Sequence, residues 1–400
     1  MTEPLAQMKD VQVADVYKAG RLAARLTRTT DGVVFAYDQA YEGSPVATTL
    51  PVGGTGVLRP GGALPAYFTG LLPEGRRLGA LRRAVKTSVD DELSLLLAVG
   101  TDTIGDVQVL PAGAPVTSAS ARVQLDPAAP LRFRDVLEDL DLNPDRSGLP
   151  GVQDKVSAAM INVPAVRAGR SYILKLDPPE YPGLVENEAV FLRACVRSGL
   201  PAAEAELLRD SEGRPGLAVM RFDRALRPGA DLRQLAVEDG CQVQGRAPGD
   251  KYTVGYVSTF AALAAVCDAR LLAARTLLAQ LTFAILTGNG DAHAKNFSVL
   301  QHPDGEWFVS PAYDVPSSQP YGDSTLAMPV NGRHSDVGAV DVLALGSALG
   351  LPDATGRRVL RRAVEQVDAW LPLLDDLPYD RGRRSKLVRV VRQRRHRLSP

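Results

Sequence analysis

The chain is poor in cysteine. Only Cys195, Cys241 and Cys267 occur in 400 residues. An odd number at wide spacing gives neither a disulfide framework nor a C-x-x-C metal knuckle, and a reducing, cytoplasmic setting is expected. Net charge is missing as well: 46 Lys and Arg balance 46 Asp and Glu. No global field therefore draws the protein to nucleic acid or to a membrane. No apolar run of about 18 uninterrupted residues exists, so no spanning helix is expected. The opening MTEPLAQMKD has neither a basic start nor an apolar stretch, so no signal peptide is expected. No internal repeat is visible.

What remains is ordinary globular composition, 45% hydrophobic and 23% charged, in a chain long enough for two or three cores. Residues 11–40 alternate as strands, VQVADVY, RLAARLTRT and GVVFAYD, separated by the turns KAG and TTDG. AYFTGLLPEGRRLGALRRAVK (66–86) reads as helix, turn and helix. DDELSLLLAVG (90–100) is a further helix closed by Gly100, and GDVQVLP a strand. The small, polar, proline-bearing segment 112–130 suits a linker. A short acidic helix follows at 133–142. Strand candidates VSAAMINV (156–163) and SYILKL (171–176) come next, then an amphipathic helix at 186–200 and a hairpin with strands near 205–209 and 216–222. Helices dominate from about 225. The fold class is α+β, with units at 1–112, 113–224 and 225–400.

The densest polar segment is GNGDAHAKNFS (288–298), between the apolar helical stretch LLAARTLLAQLTFAILT and the strand-like FSVL. FSVL and WFVS flank HPDGE, a turn sequence. A hairpin returns the chain to its start, so Asp314 is expected close to Asn296. Magnesium takes oxygen ligands, usually one or two from protein beside phosphate and water. Asn296 and Asp314 suit that role, leaving Asp291 to orient a hydroxyl and take its proton in phosphoryl transfer. The bland alternative is a turn whose side chains bond their own backbone. Lys175 lies in the middle of an apolar strand. It is either a phosphate-binding lysine or an edge-strand lysine facing water. In SGLPGVQDK (147–155) Gly148 and Gly151 would let backbone N–H groups reach an anion, with Gln153 and Lys155 adding side-chain contacts.

NGDAHAKNFS followed by PAYDVPSS resembles the catalytic and metal-binding segments of HipA-type serine/threonine kinases, the toxin components of HipBA toxin–antitoxin systems. SGLPGVQDK, YILKL, ENEAVFLRA, VMRFDR and EDGCQ stand in the family's order. TLPV, FTGLLPEG and GDVQV resemble its small N-terminal subdomain. The resemblance spans essentially the whole chain. It implies a bilobed, protein-kinase-like fold with a mostly helical C-terminal lobe, using ATP and Mg2+. It further implies phosphate binding by Lys175 and by the loop of Gly151, Val152, Gln153 and Lys155. Backbone groups at Met220 and Phe222 would take the adenine edge, and Gln242 and Tyr313 would line the pocket. His293 would brace the catalytic loop, and Lys295 would neutralise charge on the moving phosphoryl group unless it is a solvated loop lysine.

Family members also silence themselves by phosphorylating a serine three positions before the loop glycine. Here Gly148 holds that place and Ser147 stands one earlier, which makes Ser147 the candidate. The family acts on protein hydroxyls, certain members on an aminoacyl-tRNA synthetase. It partners a helix-turn-helix antitoxin of HipB type, through which it meets DNA indirectly. The D-x-H-x-x-N pattern by itself is shared with aminoglycoside and choline kinases. A small-molecule kinase, or a kinase fold kept as an inactive repressor partner, are the alternative readings. DRGRRSKLVRVVRQRRHRLSP (380–400) carries nine Lys and Arg. It reads as a terminal helix with a solvated basic face or as a contact for nucleic acid or an acidic partner.

Overall fold

A computed structural model describes residues 5–116, 123–126, 131–139, 160–226 and 232–400. The N-terminal meander forms as its alternation dictates: β1 (Val13–Lys18), β2 (Arg21–Thr29) and β3 (Gly32–Tyr37), then β4 (Val57–Pro60). The one-turn helix α1 (Ala66–Thr69), α2 (Gly75–Val85) and α3 (Glu92–Val99) precede β5 (Val107–Pro111). The sheet order is β4-β3-β2-β1-β5. Tyr67 and Phe68 of α1 and Leu93 and Leu95–Leu97 of α3 share its core. Gly100 does close α3, but at an ordinary φ of −66°. Its glycine is required by proximity, because a Cβ there would stand 2.0 Å from the Val109 carbonyl oxygen.

A second sheet has the order β6-β7-β8-β10-β9, built from β6 (Val123–Gln124), β7 (Ile161–Arg167), β8 (Arg170–Leu176), β9 (Ala205–Arg209) and β10 (Pro215–Met220). Two expectations are corrected here. The segment 112–130, read as a linker, contributes β6, which is too short to show a period. The strand sought at 156–163 is β7, which runs on to Arg167 and turns tightly into β8 through Ala168 and Gly169, both at positive φ. Pro164 disguised that continuation, since proline is unusual inside a sheet. It is tolerated here because β6 pairs only with Ala165 and Val166 of β7. The short α4 (Phe133–Asp139) leads to Phe133 in this sheet's core, and α5 (Leu184–Arg197) packs across β9 and β10.

After the small pair β11 (Arg224–Leu226) and β12 (Leu232–Gln234), the chain becomes helical. The helices are α6 (Tyr256–Val266), α7 (Arg270–Thr287), α8 (Ala339–Ala348), α9 (Asp353–Glu365), α10 (Val367–Trp370) and α11 (Arg381–Leu398). Helix α7 has 18 residues and a mean hydropathy of 1.3, long enough to span a membrane. Its apolar side chains, Leu277, Leu278, Leu281 and Phe283 among them, are buried in the core of this lobe. Helix α11 buries Leu387, Val391 and Leu398 and leaves Arg383, Lys386, Arg389 and Arg392 exposed. Embedded in the lobe is the sheet β13 (Val237–Asp239), β14 (Ser298–Gln301) and β15 (Trp307–Val309), in that order.

Candidate active site between the lobes

Helix α7 ends on Gly288 at φ +73°, and the polar segment begins there. Its hydrogen bonds go partly to itself. The Asn289 carboxamide oxygen accepts from the Asp291 N–H at 3.0 Å, and the Asp291 carbonyl from the His293 N–H at 2.7 Å. Asn296 Oδ1 also accepts from the His293 N–H at 3.0 Å. These bonds are what the turn reading expects, yet they leave side chains directed elsewhere. β14 and β15 pair Val299 with Val309, and this hairpin brings the chain back. Asn296 Nδ2 donates to Asp314 Oδ2 at 2.8 Å, as the hairpin argument requires. Asp314 is held at φ +54°, a left-handed conformation that is uncommon outside glycine and marks a constrained position.

Lys175 is not on an edge. Strand β8 lies between β7 and β10, where Lys175 pairs with Asn162 on one side and Leu217 on the other. Its ammonium donates to both oxygens of Glu188 at 2.7 and 2.9 Å and to Asp314 Oδ1 at 3.2 Å. Lys175 is 8% exposed and Glu188 fully buried. Burial opposes the lysine's charge, but the Asp314 and Glu188 carboxylates outweigh it and hold the pKa above the ordinary lysine value. Glu188 comes from α5, whose start is fixed by Asp177 just beyond Lys175. The Asp177 carboxylate accepts from the Gly183 and Val185 N–H groups, each at 2.7 Å. Residues 175–177 thus carry both the lysine and a carboxylate that receives the N–H groups at the start of the helix bearing its partner.

Nothing in the motif ENEAVFLRA by itself assigns Glu188 a role. The signal is the wider pattern: Leu184, Glu188, Phe191, Leu192 and Cys195 fall on one helical face, so a glutamate sits in an apolar stripe.

Asp291 is buried, and its Oδ1 accepts from the Tyr252 hydroxyl at 2.8 Å. His293 packs edge-on against the Tyr252 ring, centroids 5.1 Å apart. Lys295 is not a solvated loop lysine. It donates to Asp239 Oδ2 at 2.7 Å and to the Gly70 carbonyl at 3.3 Å. Although burial opposes its charge, Asp239 and then Glu74 raise its pKa. Gln242 joins the same junction, accepting from the Asp239 N–H and donating to the Tyr67 carbonyl, each at 2.9 Å. Tyr313 donates to the Lys295 carbonyl at 2.6 Å, and its ring meets Phe222 at 5.6 Å.

Beside these groups lies a cleft of about 400 Å3 between the second sheet and the helical lobe, within the usual range for a small-molecule site; Asp291 is not among the residues that line it. Lys175, Met220, Phe222, Gln242, His293, Lys295, Asn296, Tyr313 and Asp314 all line it. The N-terminal unit lines it too, with Glu74, Arg77, Val99, Asp102 and Thr103. That contribution was invisible in sequence because it rests on contacts more than a hundred residues apart. Arg221 and Arg224 both bond Asp223, Asp102 and the Thr103 carbonyl. They tie the inter-lobe connection to the N-terminal unit. The Met220 N–H donates to the Glu204 carbonyl at 2.8 Å, so an adenine edge would depend on other backbone groups of this connection. Ser147, Gly148, Gly151, Val152, Gln153 and Lys155 lie outside the described residues.

Among the described residues no group of three or more His, Cys, Asp or Glu side chains is placed to hold a metal. The pair Asn296 and Asp314 nevertheless fits magnesium, which completes its shell with phosphate and water. Asn296 Oδ1 retains a second lone pair beyond its bond to His293.

The chain matches family models at both ends: HipA N-terminal domain over residues 14–110 and HipA-like C-terminal domain over residues 147–371. It is 33% identical to "Putative kinase Y4dM" of Sinorhizobium fredii, covering 80% of this chain and 81% of that one. It is 28% identical to the serine/threonine-protein kinase toxin HipA of Shewanella oneidensis, covering 89% and 88%. Among solved structures, the Shewanella oneidensis HipA, HipB and operator DNA complex contains a chain that superposes with a TM-score of 0.78 at 23% identity, covering 96% of each chain. The fold is therefore kinase-like, and the chain belongs to the HipA family of kinases.

Proposed function

We propose that this chain is an ATP-dependent serine/threonine protein kinase and the growth-arresting toxin of a toxin–antitoxin pair. The observation that carries the proposal is the buried Lys175, shared between Glu188 of α5 and Asp314 at the cleft. Protein kinases need a strand lysine, a helix glutamate and a metal-binding aspartate in that relation.

In this reading Lys175 binds nucleotide phosphates, and Asn296 and Asp314 hold Mg2+, which when bound neutralises charge on the phosphates. The 147–155 loop contributes phosphate contacts, as the family resemblance implies, and Phe222 and its neighbours receive the adenine. Asp291 accepts the proton of the acceptor hydroxyl as its oxygen bonds to the γ-phosphorus and the bond from that phosphorus to the bridging oxygen breaks, ADP leaving. Lys295, kept cationic by Asp239, faces the charge that develops on the transferred group. His293 braces the loop against Tyr252. The acceptor is a protein hydroxyl, and the partner is a helix-turn-helix protein of HipB type. That partnership is supported by the solved relative, which is a HipA, HipB and operator DNA complex.

Incubation of the purified chain with γ-labelled ATP, Mg2+ and cell extract, beside Asp291→Ala, tests the reading. Labelled protein bands that vanish in the variant are expected. Label confined to small molecules, or bands unchanged by the substitution, would reject it. Ser147 is the proposed site of self-phosphorylation, and peptide mass spectrometry that finds phosphate only elsewhere would exclude it.

A further inference from the structure

Next to Glu188 on α5 stands a second fully buried polar residue, Asn187. Its carboxamide is matched to the backbone of a single residue in both directions. Oδ1 accepts from the Ser317 N–H at 2.8 Å, and Nδ2 donates to the Ser317 carbonyl at 3.0 Å. Nδ2 also donates to the Tyr379 hydroxyl at 2.8 Å. Tyr379 is 2.8 Å from the Tyr321 hydroxyl, which donates to the Pro182 carbonyl at 3.2 Å, directly before the start of α5. The chain of bonds closes on the helix that began it.

Ser317 lies three residues after Asp314, with Pro316 between to stiffen the segment. Glu188 holds the front of that segment through Lys175, whose ammonium bonds both the Glu188 carboxylate and Asp314 Oδ1. Asn187 grips the back. Two consecutive side chains of one helix therefore clamp both ends of a four-residue stretch whose first member is held in a left-handed conformation. An apolar side chain would fill the same space in this core without the directional bonds. What the carboxamide adds is a fixed location for the segment.

We infer that Asn187 is a positioning residue: through Ser317 it sets where the Asp314 carboxylate stands relative to Asn296 and Lys175, and so sets cation affinity in the cleft. This rests on the nucleotide and magnesium reading above.

The test measures ATP binding by the full-length chain as a function of Mg2+ concentration, with the ligand-free melting temperature recorded in parallel. Asn187→Ala strips both bonds to Ser317. Asn187→Gln keeps the carboxamide but displaces it by one methylene, and supplies the reading should the alanine variant not fold. In either variant the Mg2+ midpoint is expected to rise about tenfold, while affinity for metal-free ATP stays within about twofold, on the scale of one lost buried hydrogen-bond pair. Tyr379→Phe, which leaves both Ser317 bonds in place, is expected to keep the wild-type midpoint. A lowered melting temperature with an unchanged Mg2+ midpoint would reduce Asn187 to a fold-stabilising residue and overturn the inference. Wild-type protein that binds ATP without any Mg2+ dependence would instead remove the reading on which the inference stands.

Discussion

Replacing Lys175 by methionine keeps the length and apolar stem of the side chain and deletes its charge. Two carboxylates then face each other: Glu188, fully buried, and Asp314, whose side chain is 25% exposed. Removing one partner of a buried ion pair costs about 3–5 kcal/mol. Water reaches Asp314, so the lower end applies, about 3 kcal/mol. For a lobe of 150–250 residues that is a fall of about 6–12 °C in melting temperature.

The loss should depend on pH with a definite sign. In the wild type Lys175 has a raised pKa, so its stabilising charge is fully present below the ordinary lysine range and constant through neutral pH. In the variant, Glu188 loses the cation that opposes its upward shift, and burial then pushes its pKa further up. A raised carboxyl pKa means that the folded state holds a proton the unfolded state has released. That contribution is present at low pH and is lost as pH rises through the raised pKa. The gap between variant and wild type should therefore be small near the ordinary glutamate pKa and widen toward pH 8. Thermal unfolding without nucleotide or metal, in steps from acid to pH 8, measures it. A variant whose deficit is constant with pH, or absent, would refute the charged-cluster argument.

Two further outcomes are expected. Tyr252→Phe removes the donor to Asp291 Oδ1 and loosens the proposed base. Single-turnover phosphorylation should slow by about tenfold, the scale of one hydrogen bond to a charged group, with nucleotide affinity unchanged. Gly100→Ala pushes a Cβ into the Val109 carbonyl oxygen and should destabilise the chain by at least about 2 kcal/mol in denaturant titration, although its φ suits alanine.

How far the site could be read in advance followed the distance between its parts. Asn296 and Asp314 are joined by a hairpin whose turn chemistry is local, and their meeting at 2.8 Å followed from spacing alone. Lys175 drew attention as a charge in an apolar strand, but its central place in the sheet depends on β10, forty residues on. Glu188 and Asn187 carry no local signal of a role beyond their place in an amphipathic helix. Their roles come from side chains on a helix meeting segments 13 and 130 residues away. Asp239 stands in the motif EDGCQ, but its pairing with Lys295 spans 56 residues and has no local signal. The N-terminal unit was legible as a meander with helices, while its share of the cleft wall was not. The strand β7 was misplaced because Pro164 and the turn at 168–169 hid its second half.

The central claim is that the cleft binds ATP through Lys175 and through a cation held by Asn296 and Asp314. Equilibrium titration of ATP, with and without Mg2+, into wild-type protein, Lys175→Met and Asp314→Asn tests it most directly. The account requires saturable, Mg2+-strengthened binding in the wild type, loss of affinity in Lys175→Met, and loss of the Mg2+ effect in Asp314→Asn. Wild-type protein that does not bind ATP, or variants that bind it as the wild type does, would contradict the account.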